Sequence, residues 1–388
     1  MFKEQTILRI PGPTPVPPQV ERAMARPMVG HRSGEFSALF AKTAERLKYV
    51  FQTEQDVFIL AGSGTAGLEL AVANTVQQGD KVIVCTAGNF GDRFTKICKS
   101  YGANVVEVTA PWGEGIDPLQ VAVALAENPD AKVVFATHCE TSTGVLHDIQ
   151  GIAEQVGKTD AILVVDAVSS LGAAELPMDA WGLDIVVTGS QKALMLPPGL
   201  CFLAASPKAW NLIEKNEAPR FYFDLRAYRK QLAANTTPYT PSVSLIYGLA
   251  EVLSLIEEAG LPSIFARHKQ MQEMTRAAIK ALGLPLFTSD DVASPTVTSI
   301  GSNGYDVEVV RKHLKNDFNI IVAGGQAHLK GQIFRIGHMG YATPVDMLQV
   351  LSALEIALVK AGANIELGRG VRAAQEVYLQ KQEVTAHV

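Results

Sequence analysis

Cysteine is scarce in this chain. Its four residues, Cys85, Cys98, Cys139 and Cys201, form no CxxC pair. That argues against the disulfide framework of a short, cysteine-dense secreted domain, and the expectation is buried thiols in a reducing cytoplasm. Long apolar runs are missing too. Nothing approaches the roughly 18 uncharged residues of a membrane span, so no membrane is expected as a partner. The opening residues MFKEQTILRIPGPTPVPPQV pass quickly into closely spaced prolines and contain no signal-peptide core. No block or stripe of basic residues occurs among 34 Lys and Arg against 39 Asp and Glu, a net charge of -5. Nucleic acid is therefore not an expected partner, although a small anionic substrate remains compatible, because a site is set by local charges. No low-complexity tract or repeat is evident, and no group of residues suggests a metal.

What is present is 388 residues with 47% hydrophobic content, enough for a large core and more than one domain. Residues 11–18 are too rich in proline for a regular helix or central strand and read as an extended arm. From about 55 to 205 short apolar runs alternate with helical stretches: DVFIL, KVIVC, NVVEV, KVVFAT, ILVVDA, DIVVTG and LCFLAA. Several are β-branched and unalternated, as expected of strands buried on both faces. Strand–helix alternation implies a doubly wound, mainly parallel α/β sheet, with ligands bound beyond the carboxyl ends of its strands. SLIYGLAEVLSLIEEAG reads as a long helix. Beyond it, helices over 266–283 and 345–362 and short strands at PTVTSIG and NIIVAGG make an α+β unit. The expected division is an arm over 1–20, a large domain over 21–260 and a small C-terminal domain over 261–388.

Three strand exits carry chemistry. VFILAGSGTAGLELA runs from strand to helix through Ser63, Gly64 and Thr65. Those amides open a helix whose dipole favours an anion, which makes a phosphate cradle; the plain alternative is a turn with Ser63 or Thr65 as N-cap. The turn lacks the lysine of a P-loop, and neither ATP nor NAD is favoured. ILVVDAVSSLG places Asp166 after four apolar residues, either as a helix cap or as a carboxylate with a cationic partner. DIVVTGSQKALMLPPG places Lys192 at the exit of another buried strand; the plain alternative is a lysine snorkelling to the surface. One cofactor uses all three features together. Pyridoxal phosphate needs a helix N-terminus for its phosphate, an acid beside its ring nitrogen and a lysine amine for its aldehyde.

Eight ordered segments, RIPGPTPVPP, GHRSGEF, AGSGTAGLE, HCETSTGVL, VVDAVSSLGA, TGSQKALMLPPGL, TTPYTPSVSLIYGL and FRIGHMG, resemble the class V aminotransferases, nearest the alanine–glyoxylate, serine–glyoxylate and serine–pyruvate group. The resemblance implies the fold type I of pyridoxal-phosphate-dependent transferases. It also implies a ping-pong aminotransferase that moves the amino group of alanine or serine to glyoxylate or pyruvate, acting as a cytoplasmic homodimer. Lys192 would bond the cofactor aldehyde and Asp166 the ring nitrogen. Ser63, Gly64, Thr65 and Gln191 would hold the phosphate. Phe90 would stack on the ring, where many relatives carry tryptophan. Thr141 would approach the ring hydroxyl, and Arg335 would bind the substrate carboxylate. Thr237 and Thr240 would reach the cofactor of the second subunit, and Gly30 and His31 would line the substrate pocket. Read alone, Phe90 is also compatible with a core position and Arg335 with a surface ion pair. Rival readings are an aspartate or aminophosphonate donor, with Arg32 as a second cation; a desulfurase-like lyase, disfavoured because no cysteine follows Cys201; and a non-catalytic binder of a phosphorylated ligand.

Overall fold

The computed structural model describes residues 6–386. The seven apolar runs form the strands Val57–Gly62, Lys81–Thr86, Asn104–Thr109, Val133–Thr137, Ile162–Asp166, Ile185–Gly189 and Gly199–Ala205 of one sheet. Named by first residue, their order across the sheet is 57, 199, 185, 162, 133, 81, 104. Pairing is parallel from 185 to 104, while strand 199 runs antiparallel to both its neighbours. The unalternated Val/Ile runs follow from two cores. Leu163, Val165 and Val186 point into one, shared with Phe36, Leu47 and Ile246. Ile162, Val164, Ile185 and Val187 point into the other, shared with Leu68, Phe94 and Ile213. Successive side chains leave opposite faces of a strand, so a sheet covered by helices on both sides needs apolar residues at every position.

A third core, from Met271 to Ala374, belongs to a four-stranded sheet of Ile7–Arg9, Ile320–Gly324, Ile333–Gly337 and Val297–Gly301. The helix Leu261–Ala281 starts in the first core, at Leu261 and Ile264, and ends in the third. Among the elements the sequence reading did not name are the strand Ile333–Gly337 and the helices Gly34–Phe51, Val307–Phe318 and Arg369–Ala386. Arg335 masks the first, since a buried charge interrupts its apolar pattern.

The N-terminal arm is tied to both sheets. Ile7–Arg9 pairs in parallel with Ile320–Val322, and Arg9 reaches Asp346 at 2.8 Å. The chain then crosses to the lysine turn, where Thr14 N–H donates to the Gln191 carbonyl and the Thr14 hydroxyl to the Lys192 carbonyl. Among the described residues no helix is long and apolar enough to cross a membrane. All four cysteines are free and buried.

Candidate active site

The three strand exits meet. Ser63 caps the helix Gly64–Thr75 by accepting from the Ala66 amide at 3.3 Å. The neighbouring turns press against that helix start. A methyl group added to Gly64 would stand 2.9 Å from Val168 Cγ2, and one added to Gly189 would stand 3.3 Å from Gly64 Cα. Between these turns lies a crevice of about 330 Å³ lined by Ser63, Gly64, Thr65, Phe90, Arg93, Asp166, Gln191 and Lys192, with Gly12 and Pro13 of the arm. A larger cavity of about 670 Å³ beside His138, His147 and Trp181 contains none of these residues. Burial pushes those two histidines down to about 3 and about 4, leaving them neutral at pH 7. The larger cavity is also lined by the carboxylates Glu114, Asp148, Glu175 and Asp291, with no Lys or Arg; cations and a carboxylate face one another only in the smaller of the two spaces.

Residues 62–67 spell GSGTAG, which satisfies the G-x-G-x-x-G pattern of dinucleotide-binding turns. Topology separates the two cases. A dinucleotide fingerprint belongs to a parallel βαβ unit, whereas Val57–Gly62 is an edge strand whose one neighbour in the sheet is antiparallel.

Lys192 is 8% exposed. Burial, aided by the charges of Arg335 and Arg93, brings its amine down to about 8, so a useful fraction is the free base near neutrality. Its Nζ donates to the Pro11 carbonyl. Gly12 has φ +93°, and a Cβ there would stand 2.5 Å from Lys192 Cδ. Gly12→Ala is therefore expected to displace the lysine and lower kcat/KM by about tenfold to a hundredfold, since misplacement by an ångström has that scale of effect. Steady-state kinetics beside a melting curve separate this from simple unfolding.

Asp166 is also buried, and burial raises its carboxyl to about 6, with Glu140 adding to the rise. The Val168 amide, donating at 2.9 Å, and the cations Arg93 and Lys192 oppose it. A cation placed against this carboxylate would find the negative charge already held in position.

Two neighbours were missed by sequence reasoning. Arg93 donates to the Thr65 hydroxyl at 2.9 Å and lies over the Phe90 ring, 4.7 Å from its centroid. Its signal was the spacing of three from Phe90, which places both on one helix face. Glu140, fully buried, accepts from the amides of Phe90 at 3.0 Å and Gly91 at 3.1 Å. Its signal was the same as that of Asp166, an acid just beyond a buried strand.

Arg335 is 4% exposed and is not a surface ion pair. It donates from Nε and Nη2 to the Gly324 carbonyl and from Nη1 to the Thr141 carbonyl at 2.7 Å. Three of a guanidinium's five N–H groups are thereby used. No carboxylate pairs with it among the described residues, and burial lowers it only to about 10, so it stays charged. The Thr141 hydroxyl donates to Ser169 Oγ at 2.6 Å, beside the Asp166 exit.

Thr141 and Arg335 do not line the crevice itself, and the remaining residues singled out in the sequence also lie outside it in this single chain. Gly30 and Thr240 are exposed, and His31 is half-buried. The Thr237 hydroxyl donates to the Tyr239 carbonyl. Arg32 donates to Thr236 Oγ1 and to the carbonyls of Thr237 and Pro238 and does not line the crevice of this single chain.

The crevice suits pyridoxal phosphate on its own terms. It combines a helix N-terminus, a buried amine, a buried carboxylate and the aromatic Phe90. The Gln191 side-chain oxygen is buried without a partner; as an acceptor it would not meet a phosphate oxygen, so it is the amide NH2 of Gln191 that would donate to that anion.

The sequence matches the family described as Aminotransferase class-V over residues 12–347. L-aspartate–glyoxylate aminotransferase of Paracoccus denitrificans (strain Pd 1222) is 39% identical, over 97% of each chain. A protein of Synechococcus sp. (strain PCC 6716) named soluble hydrogenase, small subunit, is 45% identical over 97% of this chain and 99% of that one. The crystal structure of ureidoglycine–glyoxylate aminotransferase from Bacillus subtilis is similar at a TM-score of 0.91 and 33% identity, covering 97% of this chain and 99% of that chain. These names disagree about chemistry, so the reaction is best read from the site.

Proposed function

We propose a reaction from one premise: the chain belongs to the class-V aminotransferase family, so it is an aminotransferase of fold type I whose cofactor is pyridoxal phosphate. It moves the amino group of a small amino acid, alanine or serine, to glyoxylate or pyruvate in two half-reactions at one site. Arg335 carries this reading. A buried guanidinium with two unused N–H groups and no acidic partner is a receptor for one carboxylate. Arg32 lies outside the crevice of this single chain, and the crevice's own second guanidinium, Arg93, donates to Thr65 and lies over Phe90; a distal carboxylate would need one of them, so a small donor side chain is preferred to aspartate. Glyoxylate is the acceptor in the names of several relatives.

When bound, the cofactor supplies an aldehyde that condenses with amines and a ring that takes up the electron pair released at the substrate α-carbon. The chain's own groups do the rest. The amides of Ser63, Gly64 and Thr65, with Gln191, hold the phosphate on the helix N-terminus. Phe90 would hold one face of the ring, Thr141 would approach its hydroxyl, and Asp166 would keep its nitrogen protonated through direct charge interaction. Arg335 anchors the substrate carboxylate. Lys192 Nζ would hold the cofactor through its aldehyde and, as general base and then general acid, would move the substrate α-proton. Thr237 and Thr240 complete the phosphate site from the second subunit of a homodimer, and Gly30 and His31 extend the substrate pocket across the same interface. The four buried thiols suit a reducing cytoplasm.

A rapid-mixing screen tests the reading. Alanine or serine is expected to bleach the cofactor absorbance and glyoxylate to restore it; no change with any amino acid would sink the proposal. Arg335→Gln is expected to raise the donor KM by about 30-fold or more, the scale of losing one partner of a buried charged pair. Capture of added pyridoxal phosphate by the apoprotein is expected to accelerate as pH rises through about 8 and level off above it, because only the deprotonated Lys192 attacks. A rate independent of pH between 7 and 9, followed by absorbance, would contradict that role.

A further inference from the structure

Among the described residues, Glu140 is the one fully buried carboxylate near the crevice with no part in the reaction above. The helix Asn89–Ser100 begins at Gly88 without a side-chain cap of its own. Its first amides are met from a distant segment: Glu140 Oε2 accepts from Phe90 and Gly91. The other oxygen, Oε1, accepts from the Ser142 amide at 3.1 Å and from the Ser142 hydroxyl. The backbone has been cleared to admit this group, since a Cβ on Gly88 would stand 2.4 Å from Glu140 Cδ. Burial raises this carboxyl above its ordinary value, and the four donors converging on its two oxygens oppose that rise by favouring the ionised form. The next residue, Thr141, gives its carbonyl to Arg335 at 2.7 Å.

We propose that Glu140 is a positioning residue with two separable effects: its carboxylate clamps the helix bearing Phe90 and Arg93, and its charge restrains the affinity of Arg335 for the substrate carboxylate. The proposal rests on the reading of Arg335 as the carboxylate anchor. The charges around the site are Lys192, Arg93 and Arg335 against Asp166 and Glu140, with Arg311 behind Arg335. Glu140 is the acid whose field reaches Arg335, and it also raises Asp166. A guanidinium with no nearby negative charge would hold substrate and product carboxylates more tightly in every state. Such uniform binding slows release without helping the chemical step. A partly neutralised guanidinium lets go.

The test uses the holoenzyme and propionate, a monocarboxylate that cannot transaminate, titrated by calorimetry with cofactor retention measured on dialysis. Glu140→Gln removes the charge and turns an NH2 group toward one pair of donors. It is expected to bind propionate about fivefold more tightly, the size of one removed charge at intermediate range and screening, while losing cofactor faster. Glu140→Asp keeps the charge but withdraws it from the amides. It is expected to bind propionate within about twofold of the parent and also to lose cofactor faster. Mere structural damage moves propionate affinity the other way in both variants. Unchanged or weaker propionate binding in Glu140→Gln overturns the charge role. If that variant does not fold, weaker propionate binding by Glu140→Asp, in step with its cofactor loss, overturns it. If the parent protein binds no propionate, the anchor role of Arg335 fails and this inference with it.

Discussion

Replacing Lys192 with alanine is expected to lower turnover by about 10⁴-fold or more, because one side chain is both covalent anchor and proton carrier. The fold should survive. Lys192 makes one side-chain hydrogen bond, to the Pro11 carbonyl, in a place where burial disfavours its charge. A lysine whose folded pKa lies below its unfolded value carries a stability penalty at low pH. The penalty is fully present below about 8 and fades as pH rises toward 10.5. The apo alanine variant is therefore expected to melt no lower than the parent at pH 7, with any advantage shrinking toward pH 10. Methylamine, small enough for the vacated space, is expected to restore part of the proton transfer. Borohydride reduction and peptide mapping of the parent should place the pyridoxyl label on Lys192. A label on another lysine, or an alanine variant with ordinary turnover, refutes the assignment.

Asp166→Asn is expected to lower kcat by about 10²–10³, the usual effect of removing one preorganised electrostatic group from a dry site. The substitution is nearly isosteric, and the asparagine oxygen can keep the 2.9 Å bond from the Val168 amide, so folding is not the issue. What is lost is the charge that keeps the ring nitrogen protonated. The pH dependence gives a second readout. In the apoprotein the carboxyl titrates near 6, so cofactor affinity in the parent is expected to decline as pH falls through that value. The asparagine variant should bind weakly at all pH values and lack that decline. Turnover within tenfold of the parent, by steady-state kinetics at saturating cofactor, would remove Asp166 from the mechanism.

The two residues were legible for different reasons from their neighbours. Lys192 and Asp166 each follow an apolar run, where an ionisable side chain is costly without a purpose. Glu140 follows one as well, but its motif drew attention to Thr141 instead. Arg93 carried only a helical spacing. Arg335 was named through a resemblance; its lack of an acidic partner depends on Gly324 and Thr141, 11 and 194 residues away. The pairing of Ile7–Arg9 with Ile320–Val322 joins segments more than 300 positions apart in the chain, and no local pattern announces such a contact.

By itself the sequence determined the alternation of strands and helices, because period and β-branching are local properties that a two-sided parallel sheet requires. It also determined which reactive groups are present. Only the tertiary structure decided which strand ends are neighbours and how dry each side chain is. Desolvation is a sum over atoms supplied by distant segments, among them the arm at Pro11 and Gly12 and the turn at Gly64. That sum makes Lys192 an amine near 8 rather than an ordinary surface lysine.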